Sequence, residues 1–133
     1  EGKVETTAIR LNSNAIESVE MLVPVLSPVL LDLGKLHWID LSFNNISTIG
    51  TAFSKLPHLK RLYLHSNKIS KLSEVDNLQS HRTLEALTFH GCPVQDRKNY
   101  RVYVVSTLPW LRSLDFSAVT KRELDAAVSW RRM

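Results

Sequence analysis

Apolar and polar residues alternate over short stretches of this chain, and the stretches recur every 23 to 30 residues. The template L-x-x-L-x-L-x-x-N-x-I-x-x-L fits three windows well. They are Thr6, Ile9, Leu11, Asn14, Ile16, Val19; Leu36, Ile39, Leu41, Asn44, Ile46, Ile49; and Leu59, Leu62, Leu64, Asn67, Ile69, Leu72. A fourth is degenerate, with Leu84, Leu87, Phe89, Cys92 and Val94, and with Arg97 where an aliphatic belongs. A fifth keeps only its strand, Leu111, Leu114 and Phe116. Such a period decides the architecture before local propensity does. One unit cannot bury its apolar face alone and must stack on its neighbours.

Within each window the alternation predicts a short strand whose leucines face in while the residues between them face out. Successive strands then lie parallel, about 4.8 Å apart. Asn14, Asn44 and Asn67 fall where the chain leaves the strand, so their amides are expected to bond backbone groups of adjacent turns as a ladder. Cys92 takes the fourth rung, as a buried structural thiol. On the opposite side, Ser18–Leu33 should include helical structure, interrupted near Pro24 and Pro28 because proline removes a backbone donor. The next two connections are short enough for 3₁₀ turns only, near Ala52–Leu56 and Val75–Leu78. Asp96–Thr107 reads as helix, and Thr120-Lys-Arg-Glu123 resembles a capping box that opens a last helix, Lys121–Arg132.

Composition sharpens this picture without redirecting it. A chain of 133 residues fits a single domain over 1–133. With 44% apolar and 23% charged residues it is no disordered chain, and its 20 leucines are the excess that the repeat uses. The longest apolar run, Met21–Leu33, is broken by Pro24, Ser27, Pro28 and Asp32 and falls short of the roughly 20 residues that span a bilayer. No basic stretch leads into an apolar one at the start, so no signal peptide is expected, and the missing initiator Met suggests a trimmed N-terminus. The single Cys92 can form no internal disulfide, which favours a reducing compartment. A soluble cytoplasmic domain is the expectation.

The net charge of +4 is unevenly spread. Residues 1–50 carry three basic and six acidic side chains, a net −3, whereas residues 51–133 carry 14 and seven, a net +7. Lys121, Arg122, Arg131 and Arg132, at the basic end, are candidates for steering acidic partners.

The outward strand positions should form rows across the sheet. The first is Ala8, Trp38, Arg61, Ala86, Ser113; the second is Arg10, Asp40, Tyr63, Thr88, Asp115. The third is Asn12, Ser42, His65, His90, Ser117, with Phe43 beside Ser42. Aromatic and Arg side chains on an exposed sheet are what a binding hot spot uses. The candidate partner-binding residues are therefore Trp38, Asp40, Phe43, Arg61, Tyr63, His65 and His90. His65 and His90 share a row, but a zinc site wants three or four N, S or carboxylate donors, and Ser42 and Ser117 are poor ligands. Ser, His and Asp all occur on this face, yet an open sheet supplies neither an oxyanion hole nor a water-excluding pocket. No Gly-rich phosphate loop, H-E-x-x-H or C-x-x-C occurs. No catalytic, cofactor-binding or metal-ligating residue is assigned.

The windows resemble the short, phosphatase-regulator class of leucine-rich repeats. Tyr100-Arg101, Leu108-Pro109, Leu111, Leu114-Asp115, Val119-Thr120 and Arg122-Glu123 resemble the C-terminal cap motif of that class. The class includes light chain 1 of outer-arm dynein and the A-prime subunit of a spliceosomal ribonucleoprotein. Trp38-Ile-Asp-Leu-Ser-Phe-Asn44, Leu62-Tyr-Leu-His-Ser-Asn67, Phe89-His-Gly91, Asp115-Phe-Ser117, Val119-Thr-Lys121 and Trp130-Arg-Arg-Met133 are similar, more narrowly, to the family of leucine-rich repeat-containing protein 51. Cys92 departs from the asparagine expected there.

The resemblance covers most of residues 30–133 and implies an α/β leucine-rich repeat solenoid, a right-handed β-α superhelix. About five parallel strands would line its concave face, with short helices or 3₁₀ turns on the convex face and a cap over about 94–133. It also implies a non-catalytic scaffold without cofactors, a monomer within a larger cytoplasmic, ciliary or axonemal assembly. Such a scaffold would bind an axonemal or cytoskeletal protein, and no membrane. The residues themselves point to the concave face and weigh against direct nucleic-acid binding, because most basic residues map to turns and cap while that face also carries Asp40 and Asp115. The alternative, from the A-prime likeness and the basic C-terminal half, is a leucine-rich repeat subunit of a ribonucleoprotein.

Overall fold

The alternating stretches pair as their pattern predicts. In the computed structural model, which describes residues 7–20, 22–26 and 33–133, six strands form one sheet in chain order. They are β1 (Ala8–Arg10), β2 (Trp38–Asp40), β3 (Arg61–Tyr63), β4 (Ala86–Thr88), β5 (Ser113–Leu114) and β6 (Ser117–Ala118). The first five run parallel, with Ile9, Ile39, Leu62, Leu87 and Leu114 side by side. The sixth runs antiparallel to β5 and adds to the five strands expected.

Between strands the chain returns through α1 (Leu22–Leu26), 3₁₀ turns over 33–35, 52–55, 72–78 and 93–96, and helices α2 (Tyr100–Thr107) and α3 (Lys121–Arg132). Pro24 lies inside α1 instead of breaking it, because the first helical turn has no intrahelical use for the missing N–H. The helix expected from Asp96 begins only at Tyr100, since 93–96 is a 3₁₀ turn and Asn99 is left-handed at φ +64°. Thr6, Met21 and residues 27–32, Pro28 among them, lie outside the described residues.

Leu36, Ile39, Leu41, Ile46, Ile49, Leu59, Leu62, Leu64, Ile69, Leu87 and Phe89 are fully buried, so the core is the stacked template itself. The asparagine ladder runs beside it. Asn44 accepts at Oδ1 from the N–H groups of Asn14 (2.8 Å) and Ile16 (2.9 Å) and donates from Nδ2 to the carbonyls of Leu11 (3.0 Å) and Leu41 (2.9 Å). Asn67 accepts from Ile46 N–H (3.0 Å) and donates to the carbonyls of Leu41 (2.9 Å) and Leu64 (3.0 Å). Cys92 continues it, its Sγ accepting from Asn67 N–H (3.3 Å) and donating to the Leu64 carbonyl (3.2 Å). Asn14 is no such rung: it is exposed, and its amide turns back to the Asn12 carbonyl (2.9 Å).

The cap closes the fourth repeat. Arg97, in the aliphatic slot, is exposed and donates to the Ser70 carbonyl (2.9 Å), so the core does not receive it. Thr120 Oγ1 accepts from Glu123 N–H (3.1 Å) and starts α3 as the capping motif predicts. The reciprocal half of the box is replaced, because the Glu123 carboxylate pairs with Arg101. That guanidinium also donates to the carbonyls of Leu114, Ser117 and Ala118, tying α2 and α3 to the last turn of the sheet. No described helix is long and apolar enough to cross a membrane.

Candidate interaction face

The outward rows follow the register as far as the strands run. Ala8, Trp38, Arg61, Ala86 and Ser113 stand side by side, and Arg10, Asp40, Tyr63 and Thr88 form the row next to them. Tyr63 meets Trp38 edge-on with ring centroids 5.9 Å apart, and the Arg10 guanidinium lies 5.1 Å from the Trp38 ring centre. Thr7, Ala8, His37, Trp38, Lys60 and Arg61 line a groove of about 250 Å³ beside this cluster. Asp40 is less available than its place in the row promises. Its Oδ1 accepts from the Ser42 N–H (2.9 Å) and hydroxyl (2.6 Å), and Ser42 itself is buried.

Beyond the strand ends, His65 and His90 stack with centroids 4.5 Å apart and planes within 8°. Each is anchored by the following repeat. The Thr88 hydroxyl accepts from the N–H groups of Leu64 (3.0 Å) and His65 (3.2 Å) and lies 2.8 Å from His65 Nδ1. With its lone pairs taken, that hydroxyl directs its proton to Nδ1, which fits the imidazole tautomer carrying its own proton on Nε2. Asp115 does the equivalent work one repeat on. Its Oδ1 accepts from the N–H groups of Phe89 (2.6 Å) and His90 (2.9 Å), and Oδ2 accepts from the Tyr100 hydroxyl (2.7 Å). Burial, and then the neighbouring His90, hold His65 below its ordinary pKa, against the opposite pull of Asp40 and Asp115. Burial, then the bond to Asp115, pushes the Tyr100 phenol far up, so it remains a donor.

Phe116 corrects the expected pattern. Read as the inward apolar position of the fifth strand, it is instead 62% exposed. Asp115 and Phe116, at φ +54° and +61°, form the two-residue loop of the β5–β6 hairpin, a turn that needs both residues left-handed. The strand therefore reverses after Leu114. Ser117 leaves the row of His90 to pair with Leu114, and the Phe116 ring swings out. It settles with its centroid 5.2 Å from Tyr63, 5.6 Å from His90 and 5.8 Å from His65. Phe43, 58% exposed, approaches His65 from the β2 side at 5.7 Å. It too is left-handed, at φ +56°, in a turn position where the other repeats place Ser13, Ser66 and Gly91. Small residues suit such a position; a phenylalanine does not.

The basic end divides. Lys121, Arg122 and Arg132 are exposed on α3. Arg131 is a clasp: it donates to the hydroxyls of Ser106 (2.9 Å) and Thr107 (2.7 Å), and its guanidinium lies 5.2 Å from the Tyr103 ring centre. Cys92 is buried, and that burial pushes its thiol up, away from the reactive thiolate. Among the described residues no group of three or more His, Cys, Asp and Glu side chains is placed to hold a metal ion.

A leucine-rich repeat family model matches residues 7–132. Leucine-rich repeat-containing protein 51 of Rattus norvegicus is 40% identical over 132 residues, which is 99% of this chain and 69% of that protein. Its Homo sapiens namesake is 39% identical over the same shares. A Caenorhabditis elegans protein named "Probable U2 small nuclear ribonucleoprotein A'" is 37% identical over 94 residues, 70% of this chain and 37% of its own. Among solved structures, a chain of the Drosophila melanogaster SNF/U2A' complex superposes with a TM-score of 0.78 at 23% identity, covering 98% of this chain and 88% of that one. A chain of the Chaetomium Mex67:Mtr2 structure gives 0.70 at 24%, covering 92% and 88%. These two are likenesses of fold.

Proposed function

The chain belongs to the leucine-rich repeat family, among the relatives named leucine-rich repeat-containing protein 51, and from that premise we propose that it is a non-catalytic scaffold of a cytoplasmic, ciliary or axonemal assembly that holds a protein partner on its concave face. As a leucine-rich repeat protein it is an interaction module, and the exposed rings support the open sheet as its binding side. One observation carries this: Phe43 and Phe116, 58% and 62% exposed, stand in left-handed backbone around the His65–His90 stack and Tyr63. Neither ring serves the core, and both occupy a strained conformation costing of order 1–3 kcal/mol. Such rings give a partner large contact area at little entropy loss.

In this reading Trp38, Phe43, Arg61, Tyr63, His65, His90 and Phe116 touch the partner, while Asp40 orients the β2 end through Ser42. Lys121, Arg122 and Arg132 act at longer range on encounter. Expression of the tagged chain in ciliated cells tests it. Wild type should co-purify axonemal proteins that Trp38→Ala/Tyr63→Ala does not; equal recovery by both would reject the concave face.

The Caenorhabditis elegans relative supports a second reading, a subunit of a ribonucleoprotein. It expects co-purification of RNA-bound proteins, lost on nuclease treatment.

A further inference from the structure

Resting on that concave-face reading, we infer that the segment held there is acidic: an extended stretch of a protein partner that sets Asp or Glu side chains against Arg10, Lys60 and Arg61 and lodges an aromatic or aliphatic anchor by Phe43 and Phe116.

The charge on this face leans positive around the Trp38 groove. Arg10, Lys60 and Arg61 are exposed around the Trp38 groove, and the side chains of Lys60 and Arg61 have no ion-pair partner among the described residues. The nearby carboxylates keep their charge, but each is turned to other donors. Asp40 bonds Ser42, Asp115 is filled by Phe89, His90 and Tyr100, and Glu85, which follows Lys60 across the sheet, lies 3.5 Å from Arg112. The cations thus lie at the end of β1 (Arg10, in register with Asp40) and at the start of β3 (Lys60 and Arg61), with the exposed rings beyond the strand ends. A partner of opposite sign meets that field with a gain in both encounter rate and register. Arg61 offers a planar fork for a carboxylate.

Size and ring geometry favour an extended peptide over nucleic acid. From β1, which carries Arg10, to β5 the face crosses four strand spacings, about 19 Å, which about six residues of extended chain can span. Single-stranded nucleic acid needs open ring faces for its bases. Here the rings take up part of that area between themselves: Trp38 and Tyr63 meet at 72°, Tyr63 and Phe116 at 70°, Phe43 and His65 at 86°, and the two imidazoles stack face to face. Phe43 and Phe116, both exposed, offer apolar surface for one side-chain anchor.

Selection of a displayed library of random dodecapeptides on the intact chain tests the inference. Enriched sequences should combine two or more Asp or Glu residues with one aromatic or aliphatic anchor. A synthetic representative should bind about tenfold more weakly to Lys60→Glu/Arg61→Glu, whose folding is checked by circular dichroism. Its amide shift changes should fall on β1–β3 and the β5–β6 hairpin. Neutral or basic winners, no winners, indifference to the charge reversal, or displacement of the peptide by an oligouridylate would each overturn it. The two readings fail separately. Partners retained by Trp38→Ala/Tyr63→Ala reject the face altogether, whereas partners lost from that variant but kept by Lys60→Glu/Arg61→Glu reject only the acidic segment.

Discussion

The Tyr100 hydroxyl donates to Asp115 Oδ2 at 2.7 Å, and through that bond the cap holds the interaction face in shape. Tyr100 is buried at the start of α2, while Asp115 opens the hairpin loop that carries Phe116. The other carboxylate oxygen accepts from the Phe89 and His90 N–H groups. One side chain thus fixes a helix, the end of the fourth strand and an exposed ring. Tyr100→Phe should cost about 1.5–3 kcal/mol, the worth of a hydrogen bond to a charged group. Asp115→Ala should cost more, because it strands two backbone donors and a phenol. Urea melts measure both, and a loss under about 0.5 kcal/mol for either would place them with ordinary surface sites.

Phe116 offers a sharper comparison. Substitution by alanine removes the ring and keeps the left-handed strain, whereas glycine removes both. Phe116→Gly should therefore be more stable than Phe116→Ala by about 1 kcal/mol, the reverse of the order in regular secondary structure. Both should weaken partner binding alike. Thermal melts give the stability order, and an alanine variant as stable as the glycine one would deny that the position is strained.

Leu62 sits at the middle of the stack, fully buried between Ile39 and Leu87. Leu62→Ala should cost roughly 2–5 kcal/mol, since the cavity opens between repeats that cannot collapse onto it independently. Denaturant titration checks this.

His65 gives the fold a pH dependence of definite sign. Its folded pKa lies below the ordinary 6.5, so the unfolded chain takes up the proton first. The contribution to stability is unchanged above about pH 6.5 and is lost as pH falls from there toward the lowered value. His90 faces it from the next repeat and disfavours the charge, while Asp40 and Asp115 favour it. NMR titration should place the His65 midpoint below 6.5, and His90→Asn should move it upward. A wild-type midpoint at or above 6.5 would contradict the burial argument.

Much of this was legible in the chain because it depends on periods of two and of one repeat. Ile39, Leu62 and Leu87 align as their alternation predicts, Asn44 and Asn67 bridge turns as their place after the strand requires, and α3 runs from Lys121 to Arg132 behind its Thr120 cap. What escaped depends on partners far along the chain. Phe116 continues an inward pattern, and the strand reverses before it where Phe89, His90 and Tyr100 grip Asp115 and Arg101 holds the hairpin carbonyls. A run of arginines reads as solvated charge, yet Arg131 is claimed by Ser106 and Thr107 on a different helix. Asp40 is the local exception: Ser42, two residues on, folds back to it.

The central claim is that the concave rings, and not the basic end, carry the affinity. Titration calorimetry of a captured partner, repeated across a range of salt, tests this most directly with concave-face and basic-end variants of the intact chain. Trp38→Ala, Arg61→Ala and Tyr63→Ala should each weaken binding by more than about 1 kcal/mol, and their combination should abolish it with the fold retained. Charge reversal at Lys121, Arg122 and Arg132 should leave affinity at physiological salt nearly unchanged and flatten its salt dependence. Unaltered affinity in the concave combination, together with loss in the charge-reversed variant, would contradict the account.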